Sequence, residues 1–147
     1  MSAFGRLASL PPERRTLLAR ALAVVAWYRV ALWLLPFRWV QALPARAAKR
    51  RRPSRTALEL AEAVTAAAKR VPHASCLTQA LALQSLLVKE GYAPTLKLGV
   101  AKTPGGALEA HAWVEADGRI LIGGPESARF VPLLPGARAE AEAPGQP

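Results

Sequence analysis

The 147-residue sequence contains a single cysteine, only two histidines, and no uninterrupted apolar run of about 18 residues. One cysteine cannot form an internal disulfide, which excludes a cysteine-rich secreted scaffold and fits a reducing compartment. The lack of a long apolar run argues against stable insertion into a membrane. The N-terminus also lacks the order of elements found in a signal peptide. We therefore expect a cytoplasmic protein.

The sequence also contains no P-loop, no dinucleotide-binding fingerprint and no cluster of residues at metal-ligand spacing. We therefore expect neither a cofactor nor a metal site. The chain is long enough for one domain with a modest core. Its apolar share of 52% is too high for a disordered protein.

Basic residues are concentrated in the first half of the chain. Residues 1–70 contain 14 Lys and Arg against 3 Asp and Glu, whereas residues 71–147 contain 6 against 7. The segment 44–55 carries six of these cations and no acid, which predicts an exposed linker or a contact with an acidic partner. Neither a folded nucleic-acid reader nor interleaved aromatic residues stand beside it, so no nucleic-acid partner is expected. A basic adaptor for a membrane or a nucleic acid is kept as an alternative function.

Two helices are predicted in this basic half. The run from Glu13 to Leu35 has no Gly or Pro, is rich in Ala and Leu, and stops at Pro36. Its apolar spacing fits a face buried in a core, and the alternatives are a membrane-surface helix and a partner-docking helix. The second helix is predicted from Thr56 to Lys69. Its available packing positions are Leu58, Leu60, Ala61, Val64 and Ala68.

A third helix carries the single cysteine. Ser75 suits the N-cap of a helix that begins at Cys76, and Gly91 suits the left-handed residue that ends it. The thiol is therefore expected at the positive end of a helix dipole.

After this helix the apolar period changes to two. The alternation predicts strands at 95–101, 108–115 and 119–122, the last two joined by a turn at Asp117-Gly118. Apolar residues on both faces of these strands favour helices on both sides of the sheet. A regular hairpin pairs Ala116 with Arg119, Trp113 with Ile122, and His111 with Gly124.

The fold class expected from these elements is α+β, with a helical N-terminal half packed on a small antiparallel sheet. We expect a helical region with its basic linker at 1–55, a core at 56–135 and a disordered tail at 136–147.

Cys76 and His111 are candidates for a nucleophilic pair. A cysteine reacts as its thiolate, which a helix N-terminus favours, and a neighbouring imidazole can take up the thiol proton. His111 lies in the middle of the second strand between two small alanines. The alternative is an inert buried cysteine with a hydrogen-bonded core histidine. His73, the other histidine, is assigned to capping or to solvent.

Several motifs in the chain are similar to those of one peptidase family. They are P-H-A-S-C-L-T-Q-A-L-A-L at 72–83, L-G-V at 98–100, A-H-A-W-V-E at 110–115 and L-P-F-R at 35–38. Residues 12–134 thereby resemble the transglutaminase-like peptidase of lasso peptide biosynthesis, in its stand-alone form without a leader-recognition domain. The resemblance implies a transglutaminase-like or papain-like core with the cysteine on a helix N-terminus and the histidine on a strand.

The resemblance implies a cysteine peptidase that removes the leader from a ribosomally made precursor peptide. Cys76 would be the nucleophile, His111 the general base and acid, and Trp113 a residue of the substrate pocket. The implied partners are a separate leader-recognition protein and a lasso cyclase. The basic N-terminal half is the docking candidate for an acidic carrier. A non-catalytic peptide-binding adaptor of the same fold is the alternative function.

The third catalytic group of the family, usually an Asp on the strand after the histidine, has no match here. The hairpin register places Gly123 and Gly124 opposite His111, and neither glycine has a side chain to orient the ring. Asp117 lies in the turn, too far along the strand to reach the ring. Glu126 and Glu109 are the carboxylate candidates, and a backbone carbonyl or a water is the alternative. The third role stays open at this point.

Overall fold

The structure is a computed structural model that describes residues 9–42 and 52–133.

Prolines bound the first helix at both ends. Helix α1 spans Pro12–Leu34 and begins with a proline, which suits a first turn where the missing N–H has no helical partner to lose. Leu35 is its C-cap, because Pro36 disfavours helical backbone angles in the residue that precedes it. The helix predicted for this run is confirmed.

Two shorter helices follow. Helix α2 spans Phe37–Ala42, and helix α3 spans Ala57–Ala68. A capping box begins α3: the Thr56 hydroxyl accepts a hydrogen bond from the N–H of Glu59, whose carboxylate accepts one from the N–H of Thr56. These reciprocal bonds satisfy two N–H groups that helical bonding leaves over.

The inward side of α3 is formed by Leu60, Ala61, Val64 and Ala67, which are buried. Leu58 was also a predicted packing position, and this prediction is wrong because its side chain is 61% exposed. Two residues correspond to more than half a turn of an α-helix, so Leu58 points away from the side that Leu60 buries.

Helix α4 spans Cys76–Glu90 and has the predicted ends. The Ser75 side chain accepts a hydrogen bond from the N–H of Thr78, and Gly91 adopts the left-handed conformation at φ 96°. The cysteine is therefore the first residue of this helix.

Four antiparallel strands form one sheet. They are β1 (Thr95–Lys102), β2 (Leu108–Ala116), β3 (Arg119–Ile122) and β4 (Val131–Pro132), in the spatial order β3-β2-β1-β4. Together with the four helices they make the α+β fold that the sequence predicts.

The β2–β3 hairpin contains an irregularity that the sequence analysis did not predict. Ala116 lies opposite Arg119 as expected, but Ile122 lies opposite Val114 and not opposite Trp113. One extra residue of β3, Leu121, is accommodated as a β-bulge between these pairs. The predicted pairings beyond the bulge are wrong by one residue, because a regular register was assumed.

The two faces of the sheet are covered differently. Helices α3 and α4 pack against one face, and α1 lies across both of them. The other face is covered in part by a 3-10 turn at Pro125–Arg129 and by Phe130, which is only 5% exposed. Among residues 9–42 and 52–133 no α-helix covers this second face, so the expectation of helices on both faces is not met in that part of the chain. The apolar residues of the second face pack instead against this short returning segment.

One hydrophobic core joins the helices to the covered face. Helix α1 contributes to it along its whole length, from Leu17 to Ala31. The fully buried large apolar side chains of this core are Val25, Val40, Leu60, Val64, Leu81, Leu83, Leu86, Leu87 and Val114. The predicted tail at 136–147 and residues 43–51 of the predicted linker lie outside the described residues.

A buried carboxylate connects three parts of the helical layer. Glu90, at the end of α4, is only 6% exposed. It accepts hydrogen bonds from the N–H and the hydroxyl of Ser54 at 3.1 and 2.9 Å, and its other oxygen lies 3.7 Å from the guanidinium of Arg20. Buried carboxylates need such donors, because burial removes their hydration.

We expect Glu90→Ala to lower the free energy of unfolding by about 1–3 kcal/mol, since the substitution removes the acceptor of both Ser54 hydrogen bonds and the carboxylate beside Arg20. Glu62→Ala is the matched control, because Glu62 is exposed on α3 and its replacement is expected to change stability by less than about 0.5 kcal/mol. Urea denaturation of both variants measures the difference. Equal stability of the two variants would show that the Glu90 contacts do not stabilise the fold.

Candidate active site

Hydrogen bonds fix the loop that precedes Cys76 at the start of α4. The Ser75 hydroxyl lies 3.0 Å from the Thr78 hydroxyl, and the Gln79 side chain donates a hydrogen bond to the carbonyl of Ala74 at 3.2 Å. The cysteine is half-buried beside the core, so its thiol is accessible in part. His73 lies three residues earlier with its backbone in the left-handed region at φ 58°.

His111 projects from the face of β2 that the helices do not cover. Its ring stacks on Phe130 with the ring centres 4.9 Å apart and lies 6.2 Å from the ring of Trp113. The ring atom Nε2 is 2.9 Å from the carbonyl oxygen of Gly123. The two aromatic contacts and this hydrogen bond fix the ring in position.

The Gly123 carbonyl determines the tautomer of His111. A carbonyl oxygen can only accept a hydrogen bond, so Nε2 must carry the proton that it donates. In the neutral ring, Nδ1 then carries the lone pair. A backbone carbonyl, one of the alternatives to Glu109 and Glu126, therefore holds the His111 ring in one orientation.

Glycine is required at position 123 for two reasons. Its backbone has φ 99°, which side-chain-bearing residues rarely adopt. A Cβ atom at this position would also collide with the Cβ of Trp113. The bulge at Leu121 and the absent side chain together bring the Gly123 carbonyl to the imidazole. Sequence reasoning identified this glycine only as a residue without an orienting side chain.

Glu109 and Glu126 are both oriented toward one arginine. The Arg129 guanidinium lies 3.3 Å from the Glu109 carboxylate and 3.9 Å from that of Glu126. The same guanidinium lies over the Phe130 ring, 5.0 Å from its centre. The hydrogen bond described for His111 goes to the backbone of Gly123, and none goes to either carboxylate.

Trp113 is a nearly buried part of this face, at 3% exposure. Its indole N–H donates to Glu115 at 3.0 Å, and Lys97 approaches the same carboxylate to 2.8 Å. The hydrogen bond from Lys97 is the largest cause that lowers the pKa of Glu115; partial burial opposes the shift and the Trp113 bond adds to it.

The structure does not bring the thiol and the imidazole into hydrogen-bonding contact. Ala112 and Val114 point to the face of the sheet that packs into the core with α4. His111 points to the other face. Within residues 9–42 and 52–133, the thiol of Cys76 has no hydrogen-bond partner. No group of three potential metal ligands occurs in the same part of the chain.

Gly123→Ala tests the close approach at Trp113. We expect it to lower the free energy of unfolding by about 2–4 kcal/mol, because steric overlap and left-handed strain add. Gly106→Ala is the matched control: Gly106 also has positive φ, but no atom lies within 4 Å of a Cβ built there. Strain alone is expected to cost about 1–2 kcal/mol at that position. Thermal unfolding compares the two variants, and a smaller loss for Gly123→Ala would contradict the packing argument.

Glu115 gives a pH-dependent prediction. Its folded-state pKa lies below the ordinary value of 4.5, so its stabilising contribution is present above that value and is lost as the pH falls through the folded-state pKa. We expect the free energy of unfolding of the unmodified chain to fall more steeply than that of Glu115→Gln between about pH 5 and about pH 3. Parallel slopes in urea titrations at these pH values would contradict it.

Comparison with known proteins identifies the family. The model of the Transglutaminase-like superfamily matches residues 21–135. No curated protein and no solved structure matches the chain. The matched range includes most of α1, all of the sheet, Cys76 and His111. The chain therefore belongs to the transglutaminase-like superfamily, whose fold is commonly that of a cysteine protease or transferase.

Proposed function

We propose that this protein is a cysteine peptidase that removes the leader from a lasso precursor peptide, with Cys76 as the nucleophile and His111 as the general base and acid. The observation that carries the proposal is the hydrogen bond of 2.9 Å between His111 Nε2 and the Gly123 carbonyl. It leaves Nδ1 as the basic atom, and a general base for a thiol needs such a fixed lone pair.

The position of Cys76 supports the nucleophilic role. The Ser75 side chain accepts a hydrogen bond from the N–H of Thr78, and the Ser75 carbonyl accepts one from the N–H of Gln79. The N–H groups of Cys76 and Leu77 have no acceptor within the helix. These donors suit the oxyanion that forms when a thiolate adds to a carbonyl, and the helix dipole favours the thiolate itself.

The proposed reaction proceeds in two steps. The Cys76 thiol gives its proton to Nδ1 of His111 as the sulfur adds to the carbonyl at the junction of leader and core, and the C–N bond breaks as Nδ1 passes that proton to the departing amine. Water then gives a proton to Nδ1 as its oxygen adds to the thioester, the C–S bond breaks with the proton returning to the sulfur, and the leader leaves with a free carboxylate. Trp113 and Phe130 exclude water from one side of the imidazole.

The proposal requires the thiol and Nδ1 to meet in the complex with substrate. Because His111 lies on the sheet face away from α4, this meeting requires a rearrangement of the chain and more than the shortening of a contact that already exists. A separate leader-recognition protein would present the peptide in the cytoplasm, and a cyclase would take the released core. These two partners and this substrate come from the resemblance of the motifs at 72–83 and 110–115.

A specific observation favours a second function, a non-catalytic peptide-binding adaptor of the same fold. The acceptor at His111 is a neutral carbonyl, and the ring lies on the sheet face away from α4. An adaptor would bind the precursor without cleaving it.

The test is leader release from a lasso precursor in the presence of a leader-recognition protein, followed by mass spectrometry. We expect Cys76→Ala to abolish release and His111→Ala to lower it by about a thousandfold or more, in line with removal of a nucleophile or its base. His73→Ala is the matched histidine control and is expected to retain activity.

Two outcomes would contradict the peptidase. Release that persists in Cys76→Ala would exclude this nucleophile. Binding of a fluorescent precursor by the unmodified chain, without release under any condition, would support the adaptor.

A further inference from the structure

Helix α1 has a second apolar side that faces solvent. The residues Ala23, Ala26, Trp27, Val30, Trp33 and Leu34 recur along one side of the helix, with adjacent pairs at 26–27 and 33–34, and all are exposed. Trp33 is 77% exposed and Leu34 is 64% exposed. A helix on the surface of a soluble protein normally carries polar residues on this side. We call these six residues the outer face of α1.

Further apolar side chains are exposed just beyond the end of α1. Leu35 is 42% exposed, and Trp39 on α2 is 61% exposed. The indole rings of Trp27 and Trp33 on α1 and of Trp39 on α2 are therefore all at the surface. Tryptophan prefers sites where one part of the ring is apolar and its N–H remains wet, as at the boundary of a lipid bilayer.

The charged residues that follow Glu13 along the sequence are all basic up to Glu59. The chain has no Asp or Glu between residues 14 and 58. Its cations in that range are Arg14, Arg15, Arg20, Arg29, Arg38, Arg46, Lys49, Arg50, Arg51, Arg52 and Arg55. Such a segment is complementary to a surface of anionic headgroups, toward which each cation contributes attraction.

The chemistry of the outer face favours lipid over a protein partner. A protein interface normally forms about one hydrogen bond per 100–200 Å². The outer face offers only indole N–H groups for such bonds, since its other members are Ala, Val and Leu. A bilayer requires no hydrogen bonds from the side chains buried in it.

The inner side of α1 sets how the helix can lie on a bilayer. Helix α1 is long and apolar enough to cross a membrane, with a mean hydropathy of 1.6. However, 33% of its most apolar 18-residue stretch is buried inside the protein. Leu17, Val25 and Tyr28 are part of the core. Crossing would remove them from it, so the helix can bind only with its axis in the membrane plane.

We propose that the outer face of α1 docks on an anionic lipid surface, with Trp27, Trp33 and Trp39 at the level of the headgroups. This inference does not rest on the proposed peptidase activity. It differs from stable insertion, because the folded core remains outside the bilayer.

The experiment is co-sedimentation of the full chain with vesicles of phosphatidylcholine, either alone or with about a quarter of phosphatidylglycerol. We expect partitioning to be at least about tenfold stronger on the anionic vesicles, and Trp33→Ser to weaken it by about tenfold. Leu108→Ser is the matched control, because Leu108 is 73% exposed on the sheet, away from the outer face. It is expected to bind as the unmodified chain does, and so is Cys76→Ala.

Three results would overturn the proposal. Absent or equal binding to the two kinds of vesicle would exclude an anionic lipid surface. Unchanged binding of Trp33→Ser, with circular dichroism showing a folded chain, would assign binding to the basic residues alone. A lipid-free dimer that Trp33→Ser dissociates, without vesicle binding by the unmodified chain, would assign the outer face to a second copy of the protein.

Discussion

The hydrogen bond between the Gly123 carbonyl and His111 depends on a backbone that only glycine tolerates. The bulge in β3 turns the chain so that this carbonyl faces the imidazole, and the missing Cβ lets the strand pass Trp113 at close range. Gly99, opposite His111 on β1, makes room in the same way: a Cβ there would lie 2.9 Å from the Cβ of Phe130. Two glycines thus allow three aromatic rings to pack on one sheet face.

A neutral carbonyl supplies only part of what a carboxylate supplies in a catalytic triad. It fixes the tautomer and the orientation of the imidazole, because its oxygen can only accept. It gives less stabilisation to the imidazolium that forms after proton transfer, since it lacks the negative charge by which a carboxylate attracts that cation. Glu109 and Glu126 cannot compensate directly, because both carboxylates face Arg129. A peptidase built on this pair would therefore depend heavily on the helix dipole and the first-turn N–H groups at Cys76.

The sequence predicts the elements well because their end signals are local. The Ser75 cap, the left-handed Gly91 and the Asp117-Gly118 turn each depend on a few neighbouring residues, and all three occur where expected. The bulge at Leu121 was not predictable by the same reasoning, because alternation of apolar residues does not reveal an extra residue in one strand. Because the bulge was not predicted, the strand position expected opposite His111 was wrong by one residue. The covering of the second sheet face by Phe130 was missed too, since it depends on a short segment that returns from outside the predicted strands.

Helix α1 connects the two surfaces on which the proposals depend. Its inner side reaches α4: burial raises the pKa of Tyr28, and the side chain of Ser85 on α4 partly opposes this shift. Whatever binds the outer face of α1 is therefore separated from the cysteine-bearing helix by about one helix diameter, some 10–12 Å. Because the core residues of α1 are fixed by packing against α3 and α4, a surface that orients α1 also orients the start of α4. Docking on the outer face would thus set the direction from which a peptide reaches Cys76.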